Sequence, residues 1–391
     1  MAESKTKPPK HTAWDDPSAY PPVLPWESGN VFLDWISGCG GLPRGRVVET
    51  YGPESSGKST LALQVASHVA AQLGIPSWYW DAEDAFDPTY GTSLGLTSEG
   101  LRLFDRHEVE TLEDFFEKTI AMLQPDNFKK NPCALIIVDS VAAARCRAEL
   151  AGQSADQRTM GMEKARLWSD NLRLLVKYLA DTGATLVLVN QLRDNIQLDQ
   201  GFVPPGLKAL QPKTRTPGGR GLKFYASLRI EYEPTSEVKE DRWNPVTLET
   251  EKVTVGKNVW MRVTKNKVAP PPWRKIRVQI RDGLGFDLAQ NLLDFAQVHS
   301  LLKRDRGVWT FPPEFFGTAE PYEIRGADGF TGDAIAAHLI RSRPDVSDKL
   351  TAQVVEILHG STNYVADRPP VPDPDDSMPA NPAPPLTPET P

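Results

Sequence analysis

The feature that most constrains this chain is the segment Gly52–Ser59, which reads Gly-Pro-Glu-Ser-Ser-Gly-Lys-Ser and matches the phosphate-loop pattern GxxxxGK[ST]. The glycines let the backbone curl so that its N–H groups point at phosphates, and the helix that follows presents its positive end to the same anion. Lys58 can reach the β- and γ-phosphates, and the Ser59 hydroxyl can bind Mg²⁺. The pattern predicts a nucleotide site made of Gly52, Pro53, Glu54, Ser55, Ser56, Gly57, Lys58, Ser59 and Thr60.

Short β-rich runs alternate with helical patterns around this loop. Strands are predicted at Arg46–Tyr51, Ser77–Asp81, Ala134–Asp139 and Thr185–Asn190, and helices at Ser59–Leu73, Leu112–Leu123 and Glu163–Asp181. Continuous apolar strands separated by helices indicate a mainly parallel sheet with helices on both faces. The fold class is therefore predicted to be α/β, with a P-loop NTPase core.

The rhythm changes after about residue 222. Strand-like runs then follow one another with little helix between them, at Phe224–Tyr232, Lys252–Val255, Val259–Lys265 and Ile276–Ile280. Helical patterns return at Leu288–Leu302, Gly332–Ser342 and Ser347–Leu358. We expect an antiparallel extension of the sheet, followed by a small C-terminal α/β domain.

The two ends of the chain differ from the rest in composition. Residues 1–25 hold six prolines, and residues 368–391 hold ten prolines and four acidic residues against one Arg. Such segments bury too little apolar surface to order themselves. We therefore predict a Pro-rich arm at 1–27, an ATPase-type core at 28–285, the small C-terminal domain at 286–366, and a disordered acidic tail at 367–391.

Charge is distributed unevenly along the chain. The net charge is −7, yet residues 190–280 carry 17 Lys and Arg against 9 Asp and Glu, and residues 200–230 carry six basic side chains and no acidic one. Screening limits electrostatic attraction to about 10 Å, so a basic stretch on an acidic chain can still bind phosphates. Taken alone, the stretch fits a solvated basic face better than a phosphate-binding surface.

Three features of the sequence bear on the cellular compartment of the protein. Its first residues lack the apolar stretch of a secretory signal, and no apolar run approaches the roughly 18 residues that span a bilayer. Its three cysteines, Cys39, Cys133 and Cys146, have no metal-binding spacing and are predicted to be reduced. We expect a cytoplasmic protein without a membrane partner.

Polar residues at the ends of predicted strands are candidates for nucleotide chemistry. Asp139 ends an apolar strand and is placed to serve as a second Mg²⁺ ligand at the carboxyl edge of the sheet. Glu83 follows another strand and could act as a general base, but Asp81 and Asp84 lie beside it and spacing does not choose between them. Asn190 and Gln191 end a third strand, where an amide could contact the γ-phosphate, although without further context they are better explained as ordinary strand-end polar residues.

Six blocks occur in an order that resembles the bacterial RecA recombinase family. They are Gly40–Ala66, Asp81–Tyr90, Ile136–Ala143, Asn190–Arg193, Pro217–Arg229 and Thr264–Pro271. The resemblance covers roughly residues 28–310. It implies a DNA-dependent ATPase that uses ATP and Mg²⁺, forms helical filaments on single-stranded DNA with ATP at the protomer interface, and pairs that strand with homologous duplex DNA.

The resemblance also implies roles for single residues. Ser59 and Asp139 would bind magnesium, and Glu83 rather than its neighbours would be the catalytic base. Lys58 and Gln191 would contact the phosphates, and Asp87 and Tyr90 would contact the adenine. Lys265 and Lys267 would reach the nucleotide of a neighbouring subunit, which ties hydrolysis to assembly because that charge is supplied only in a filament.

Two DNA-binding loops follow from the same resemblance, near 149–164 and 192–219. Candidate DNA contacts are Met160, Arg166, Arg173, Arg193, Phe202, Lys208, Lys213, Arg215 and Arg220. The basic side chains would bind backbone phosphates, and Phe202 would stack on or wedge between bases. In this context, the basic stretch at 200–230 favours DNA contact.

The sequence departs from the family pattern at three places. Residues 1–27 are Pro-rich where the family has a docking helix, the second DNA loop is about ten residues longer than typical, and Glu233–Lys252 is longer and more charged than a tight connection requires. The missing N-terminal docking helix motivates a rival hypothesis, a DNA-stimulated regulatory or loader ATPase without strand exchange. A third, a P-loop kinase for a small substrate, leaves the six blocks unexplained.

Overall fold

A computed structural model describes residues 23–152, 157–194, 214–269, 274–326 and 331–360. Residues 1–22 of the predicted arm and the whole predicted tail at 367–391 lie outside this range. None of the helices in the described ranges combines the length and apolarity that crossing a bilayer requires. Cys39, Cys133 and Cys146 are buried, and none of them forms a disulfide in the described part of the chain.

The bounds of the elements follow. The strands are β1 (Pro25–Trp26), β2 (Leu42–Pro43), β3 (Val47–Gly52), β4 (Ser77–Asp81), β5 (Leu101–Leu103), β6 (Leu135–Asp139), β7 (Thr185–Gln191), β8 (Arg193–Asp194), β9 (Thr214–Arg215), β10 (Leu228–Asn244), β11 (Glu249–Asn266), β12 (Lys275–Arg281), β13 (Gly285–Phe286), β14 (Lys303–Asp305), β15 (Val308–Phe311) and β16 (Tyr322–Ile324). The helices are α1 (Val31–Ser37), α2 (Lys58–Leu73), α3 (Pro88–Ser93), α4 (Leu112–Met122), α5 (Pro125–Lys130), α6 (Arg147–Leu150), α7 (Gln157–Thr182), α8 (Gly219–Tyr225), α9 (Leu288–Val298), α10 (Pro313–Phe316), α11 (Gly332–Ser342) and α12 (Pro344–Gly360).

A nine-stranded sheet in the order β13-β12-β11-β10-β3-β7-β6-β4-β5 organises the chain. The strands from β10 to β5 pair in parallel, whereas β10 to β13 pair antiparallel. This arrangement confirms the predicted fold class, a mainly parallel sheet with an antiparallel extension. The pairing of β3 with β7 ends on Gly52 and Gln191, so the phosphate loop starts beside a predicted γ-phosphate contact.

Hydrophobic cores lie on both faces of this sheet. Along β6, Leu135 and Ile137 join one core, while Ile136 and Val138 join the other. The first core contains the apolar side of α2 and continues without a break into the C-terminal helices. The second contains α4 and α7, where Trp168 packs edge-on against Phe116. Alternating side chains of a continuous apolar strand therefore serve two cores, which is why the strand is apolar at every position.

The antiparallel extension differs from the prediction in its details. Phe224 and Tyr225, placed in a predicted strand, end helix α8, and the strand begins only at Leu228. The two runs predicted between 252 and 265 form the single strand β11. The charged segment Glu233–Lys252 is explained by this geometry, because it forms most of a long hairpin between β10 and β11. Exposed two-stranded ribbons carry polar side chains on both faces, so the segment lacks an apolar alternation that would mark it as strand.

The C-terminal region packs on the rest of the chain. Helices α9, α11 and α12 and the small sheet β14-β15-β16 contribute to the same hydrophobic core as α1 and α2. The indole Nε1 of Trp35 in α1 donates to the carbonyl of Leu358 in α12 at 3.0 Å. The sequence did not predict β14 to β16, because strands of three or four residues are too short to show a period.

The start of the described chain is also held in place. Pro25 and Trp26, which fall inside the predicted irregular arm, pair with Leu42 and Pro43. Trp26 is buried, and the guanidinium of Arg44 lies 3.7 Å from the centre of its ring. An aromatic side chain with a core position and a cation over its ring is enough to order a two-residue strand.

A buried carboxylate ties the centre of the sheet together. Glu49 of β3 has no exposed side-chain surface, and it accepts hydrogen bonds from the Arg229 guanidinium of β10 and the Asn190 amide of β7. Arg229 also stacks over the ring of Tyr51 at 4.4 Å. Three adjacent strands are thus joined by one ionised group, which needs both partners because burying an unpaired charge is costly.

Replacing Arg229 by Met should therefore lower the free energy of unfolding by about 3–5 kcal/mol, because Glu49 is left buried without its counter-ion. Urea unfolding followed by circular dichroism measures the change, and the double variant Glu49→Gln/Arg229→Met should recover part of it. Lys239→Met is the control, since Lys239 pairs with Glu237 on the exposed hairpin. An Arg229→Met protein as stable as this control would contradict the assignment.

Candidate functional site

The phosphate loop is shaped by glycines at positions where a side chain does not fit. It connects the end of β3 to the start of α2, and Gly57 caps that helix with φ of 92°. A Cβ atom on Gly57 would lie 2.2 Å from the Cδ1 of Ile280, and one on Gly52 would lie 2.6 Å from the carbonyl oxygen of Tyr232. Strands β10 and β12 therefore press directly on the loop, which holds the anion-binding curl that the sequence predicts.

Lys58 is buried inside this curl. Its Nζ donates to the carbonyl of Pro53 at 2.6 Å and to the Ser56 hydroxyl at 3.2 Å. Burial lowers the pKa of the Lys58 ammonium, and the nearby carboxylates of Asp139 and Glu83 oppose that shift. A desolvated ammonium inside the loop is suited to bind a polyphosphate, whose negative charge would stabilise it.

Oxygen groups suited to magnesium meet beside Lys58. Asp139, at the end of β6, is buried and accepts a hydrogen bond from the Tyr79 hydroxyl at 2.8 Å and another from the Ser59 hydroxyl. Burial raises the pKa of the Asp139 carboxyl, and these hydrogen bonds oppose the rise. A serine hydroxyl in contact with a carboxylate supplies the hard oxygen ligands that Mg²⁺ prefers, so the predicted pair fits the metal.

The three carboxylates after β4 have different surroundings. Asp81 accepts from the backbone N–H groups of residues 85 and 86 at 3.1 and 2.8 Å, so it shapes the loop. Asp84 is exposed and lies 3.8 Å from Arg106. Glu83 Oε1 instead accepts from the Gln191 amide at 3.0 Å and from the Ser140 hydroxyl. Of the three, Glu83 is the carboxylate that hydrogen-bonds residues at or just after the ends of β6 and β7, which is where a base for nucleotide hydrolysis is needed.

The residues predicted to contact adenine lie at the start of helix α3. Asp87 caps α3 through a 2.8 Å hydrogen bond from the N–H of Thr89. Tyr90, one turn into that helix, shares a 2.8 Å hydrogen bond between its hydroxyl and that of Thr60 in α2. This contact places α3 directly against the helix that follows the phosphate loop.

Lys265 and Lys267 lie apart from the phosphate loop of their own chain. Both ammonium groups donate to carbonyls at the C-terminal end of α8, Lys265 to those of Lys223 and Phe224 and Lys267 to that of Phe224. Partial burial, with Lys267 and Arg229 nearby, lowers the pKa of Lys265 to about 8. Two cations held at a helix C-terminus stabilise its negative end and remain partly exposed at the surface of the chain.

The predicted DNA loops are described only in part. Residues 157–164 of the first, including Met160, form the beginning of α7, and residues 153–156 lie outside the described range, so half of this predicted loop is helix. Arg166 and Arg173 follow on exposed positions of α7, and Arg166 lies 3.4 Å from Asp170.

The second loop leaves and re-enters the described chain through a short ladder. Arg193 of β8 pairs with Arg215 of β9, and residues 195–213, which hold the candidates Phe202, Lys208 and Lys213, lie outside the described range. Arg220 is exposed in the first turn of α8. The loop is thus anchored at one end to Gln191 and at the other to α8.

Three further residues support this site, and the sequence analysis named only one of them, Asn190, as a strand-end amide. Ser140 donates to Glu83, Tyr79 donates to Asp139, and Asn190 bonds both Glu49 and the carbonyl of Pro217 at 2.9 and 3.0 Å. Ser140 and Asn190 adjoin predicted site residues at strand ends, which is a usable signal. Tyr79 lies inside an aromatic strand, where its hydroxyl is not distinguishable from that of a core tyrosine.

Comparison with known proteins adds independent information. A family model described as the RecA N-terminal domain matches residues 20–287. Protein RecA of Tropheryma whipplei is 33% identical over 355 residues, which cover 91% of this chain and 70% of that protein. Protein RecA of Frankia casuarinae is 33% identical over 338 residues, or 86% of this chain and 85% of that protein. Protein RecA of Thermus thermophilus is 34% identical over 334 residues, covering 85% of each.

Lys58→Ala should abolish tight nucleotide binding, because the loop would lose the buried cation that faces the phosphates. Equilibrium binding of a fluorescent ATP analogue measures the effect, with an expected loss of at least about a hundredfold for a desolvated charge-assisted contact. Lys118→Ala is a matched control, because Lys118 lies on the exposed face of α4 and pairs with Glu108. Unchanged binding in the Lys58 variant would remove this loop from the nucleotide site.

Proposed function

The chain belongs to the RecA family, and on that premise we propose which of its residues carry out the family's reaction. It is an ATP-dependent DNA recombinase that hydrolyses ATP with Mg²⁺ in the presence of DNA. It forms helical filaments on single-stranded DNA and pairs that strand with homologous duplex DNA in recombination and repair. One observation supports the proposed roles above all: Glu83 accepts hydrogen bonds from both Gln191 and Ser140 at the carboxyl edge of the sheet.

Glu83 acts as the general base in this proposal. Its carboxylate would accept a proton from the attacking water at Oε1 or Oε2, while Ser140 and Gln191 hold it in place. A positioned carboxylate accelerates such a step because the reacting proton meets its acceptor at hydrogen-bond distance. Gln191 is also the last residue of β7, so the group that senses the γ-phosphate begins the chain segment that leads into the second DNA loop.

The phosphates are held by the loop and by Lys58. Ser59 and Asp139 would hold Mg²⁺, whose positive charge would offset the negative charge of the phosphates. Tyr79 orients the Asp139 carboxylate through the 2.8 Å hydrogen bond. Asp87 and Tyr90 would contact the base, since α3 is fastened to α2 through Thr60.

Assembly enters through Lys265 and Lys267. These cations would reach the nucleotide of the neighbouring protomer, where charge develops on the γ-phosphate during hydrolysis. In this chain they grip the end of α8, the helix that directly follows the second DNA loop. Contact of that loop with DNA would therefore act on both lysines through α8. This gives a physical route from DNA binding to ATP hydrolysis at the neighbouring protomer.

The DNA contacts are proposed at the exposed and loop positions predicted from the sequence. Basic side chains at Arg166, Arg173, Arg193, Lys208, Lys213, Arg215 and Arg220 would neutralise phosphates, with Met160 and Phe202 against the bases. Phosphate contacts of this kind release counterions, so binding should weaken steeply with salt. We also propose a cytoplasmic location and keep the four-part division at 1–27, 28–285, 286–366 and 367–391.

The rival functions have no comparable support. A loader ATPase without strand exchange and a small-substrate kinase are both disfavoured by RecA relatives that match along at least 85% of the chain.

Glu83→Gln tests the proposed base directly. The variant should bind ATP and single-stranded DNA but hydrolyse ATP at least about a hundredfold more slowly, the usual contribution of a general base. Filaments seen by negative stain with ATP should then persist. Asp84→Asn is the matched control, because Asp84 is an exposed neighbour with the same chemistry. Equal turnover of the Glu83 variant and this control would exclude Glu83 as the base.

The pH dependence tests Lys265. Its pKa is lowered to about 8 by burial and by Lys267 and Arg229, with Glu49 opposing, so its charge is lost as pH rises through 8. DNA-stimulated hydrolysis should fall on the order of tenfold by pH 9, since one pH unit above the pKa leaves about a tenth of the group charged. Lys265→Arg keeps its charge at that pH and should show a flatter profile. Parallel profiles for the two proteins would contradict the role.

A further inference from the structure

A second lysine reaches the phosphate loop from outside the recognised motif. Lys257 lies in the middle of β11, paired with Glu237 of β10 on one side and with Ile280 of β12 on the other. Its Nζ donates to the carbonyl oxygen of Ser55 at 2.5 Å, a contact between residues 202 positions apart. The hairpin therefore delivers a cation to the loop that is predicted to hold the nucleotide.

The loop and the strand carrying Lys257 are in close contact over more than this one bond. Ile280, the register partner of Lys257, lies against Gly57 so closely that no side chain fits there. Ser55, the residue that Lys257 contacts, adopts φ of 53°, a left-handed conformation that non-glycine residues rarely adopt. The antiparallel extension thus braces the loop, and Lys257 bonds the loop at its most strained residue.

Charge is what distinguishes Lys257 from a purely structural brace. Its ammonium lies close enough to Lys58 to help lower the pKa of that buried group. Among the described residues, none of the ion pairs includes Lys257, and Glu237 beside it pairs with Lys239 instead. A lysine has three N–H donors, and the Ser55 carbonyl occupies one of them. Glu237 also interacts with Lys257 at longer range, but the two lysines at this loop still repel each other, and a bound anion beside both would offset that repulsion.

We propose that Lys257 is a second nucleotide-binding lysine, supplied by the β10–β11 hairpin, which contacts the polyphosphate while holding Ser55 in the phosphate-binding conformation. The inference rests on the proposed nucleotide site and extends it to a residue outside the loop motif. Because it acts on bound phosphates in general, Lys257 contributes to affinity for both di- and triphosphate. It leaves recognition of the nucleoside to Asp87 and Tyr90.

The test compares Lys257→Met with Lys252→Met. Lys252 lies on the same strand about 17 Å from Lys257, given roughly 3.3 Å per residue, and its loss changes the net charge identically. Affinities for ATPγS, ADP and adenosine are measured by titration calorimetry or by competition in Mg²⁺ buffer. Lys257→Met should weaken ATPγS and ADP by about tenfold, the effect of one charge-assisted hydrogen bond. Its affinity for adenosine should equal that of the control.

Further results decide whether Lys257 contacts phosphate. Lys257→Arg, which keeps the charge and its donors, should restore most of the lost affinity for ADP. If Lys257→Met binds ATPγS and ADP like the control, or loses affinity for adenosine equally, Lys257 does not contact phosphate and the inference is overturned. Lys58→Ala run in parallel separates the two levels, since its unchanged binding would refute the nucleotide site itself. Thermal unfolding without nucleotide verifies that all variants are folded.

Discussion

The ionised Glu49 side chain is the interaction on which the arrangement of the site depends. It lies at the centre of three parallel strands with no exposed surface, and Arg229 and Asn190 satisfy it from either side. A charge in such a place is stable only when its partners are fixed, so β3, β7 and β10 cannot slide relative to one another without exposing or stranding it. Their register sets where Gly52 begins the phosphate loop and where Gln191 ends β7.

The same cluster connects nucleotide chemistry to the second DNA loop. Asn190 donates both to Glu49 and to the carbonyl of Pro217, which lies just before helix α8. Gln191, the next residue, contacts Glu83. A movement of Glu83, the proposed base, would therefore act on Gln191, which lies at the start of the proposed second DNA loop. Coupling of this kind requires discrete packed contacts in sequence, and each link here is a hydrogen bond between named groups.

The end of α8 meets the two lysines that we propose to act at the subunit interface. Lys265 and Lys267 hold the carbonyls of residues 223 and 224, and the Lys267 ammonium lies 4.8 Å from the centre of the Phe224 ring. Phe224 is two-thirds exposed, so its ring and the cation beside it lie at the surface of the chain. Helix α8 thus joins the end of the proposed second DNA loop to the proposed interface lysines.

The sequence predicted the parts of this protein that follow from local physics. Apolar runs at Ala134–Asp139 and Thr185–Asn190 must be strands between two cores, and the glycine pattern at Gly52 and Gly57 has one mechanical use. What it missed depends on tertiary neighbours. Spacing could not separate Glu83 from Asp81 and Asp84, because the difference is which one meets Gln191 across the sheet.

The hairpin shows the same limit from the other direction. Its charged strands have no apolar period, so the sequence predicts shorter strands than β10 and β11, whose pairing continues to Asn244 and Glu249. The need for a long hairpin can be explained by the phosphate loop. A loop of small residues at a sheet edge has no core of its own, and it must be held against something rigid to keep its N–H groups converged. Strands β10, β11 and β12 provide that backing through Tyr232, Lys257 and Ile280 respectively. The antiparallel extension thus supports the proposed nucleotide site. Because the β10–β11 hairpin continues well past the residues that contact the phosphate loop, those residues lie far from the end of the hairpin, where strands fray.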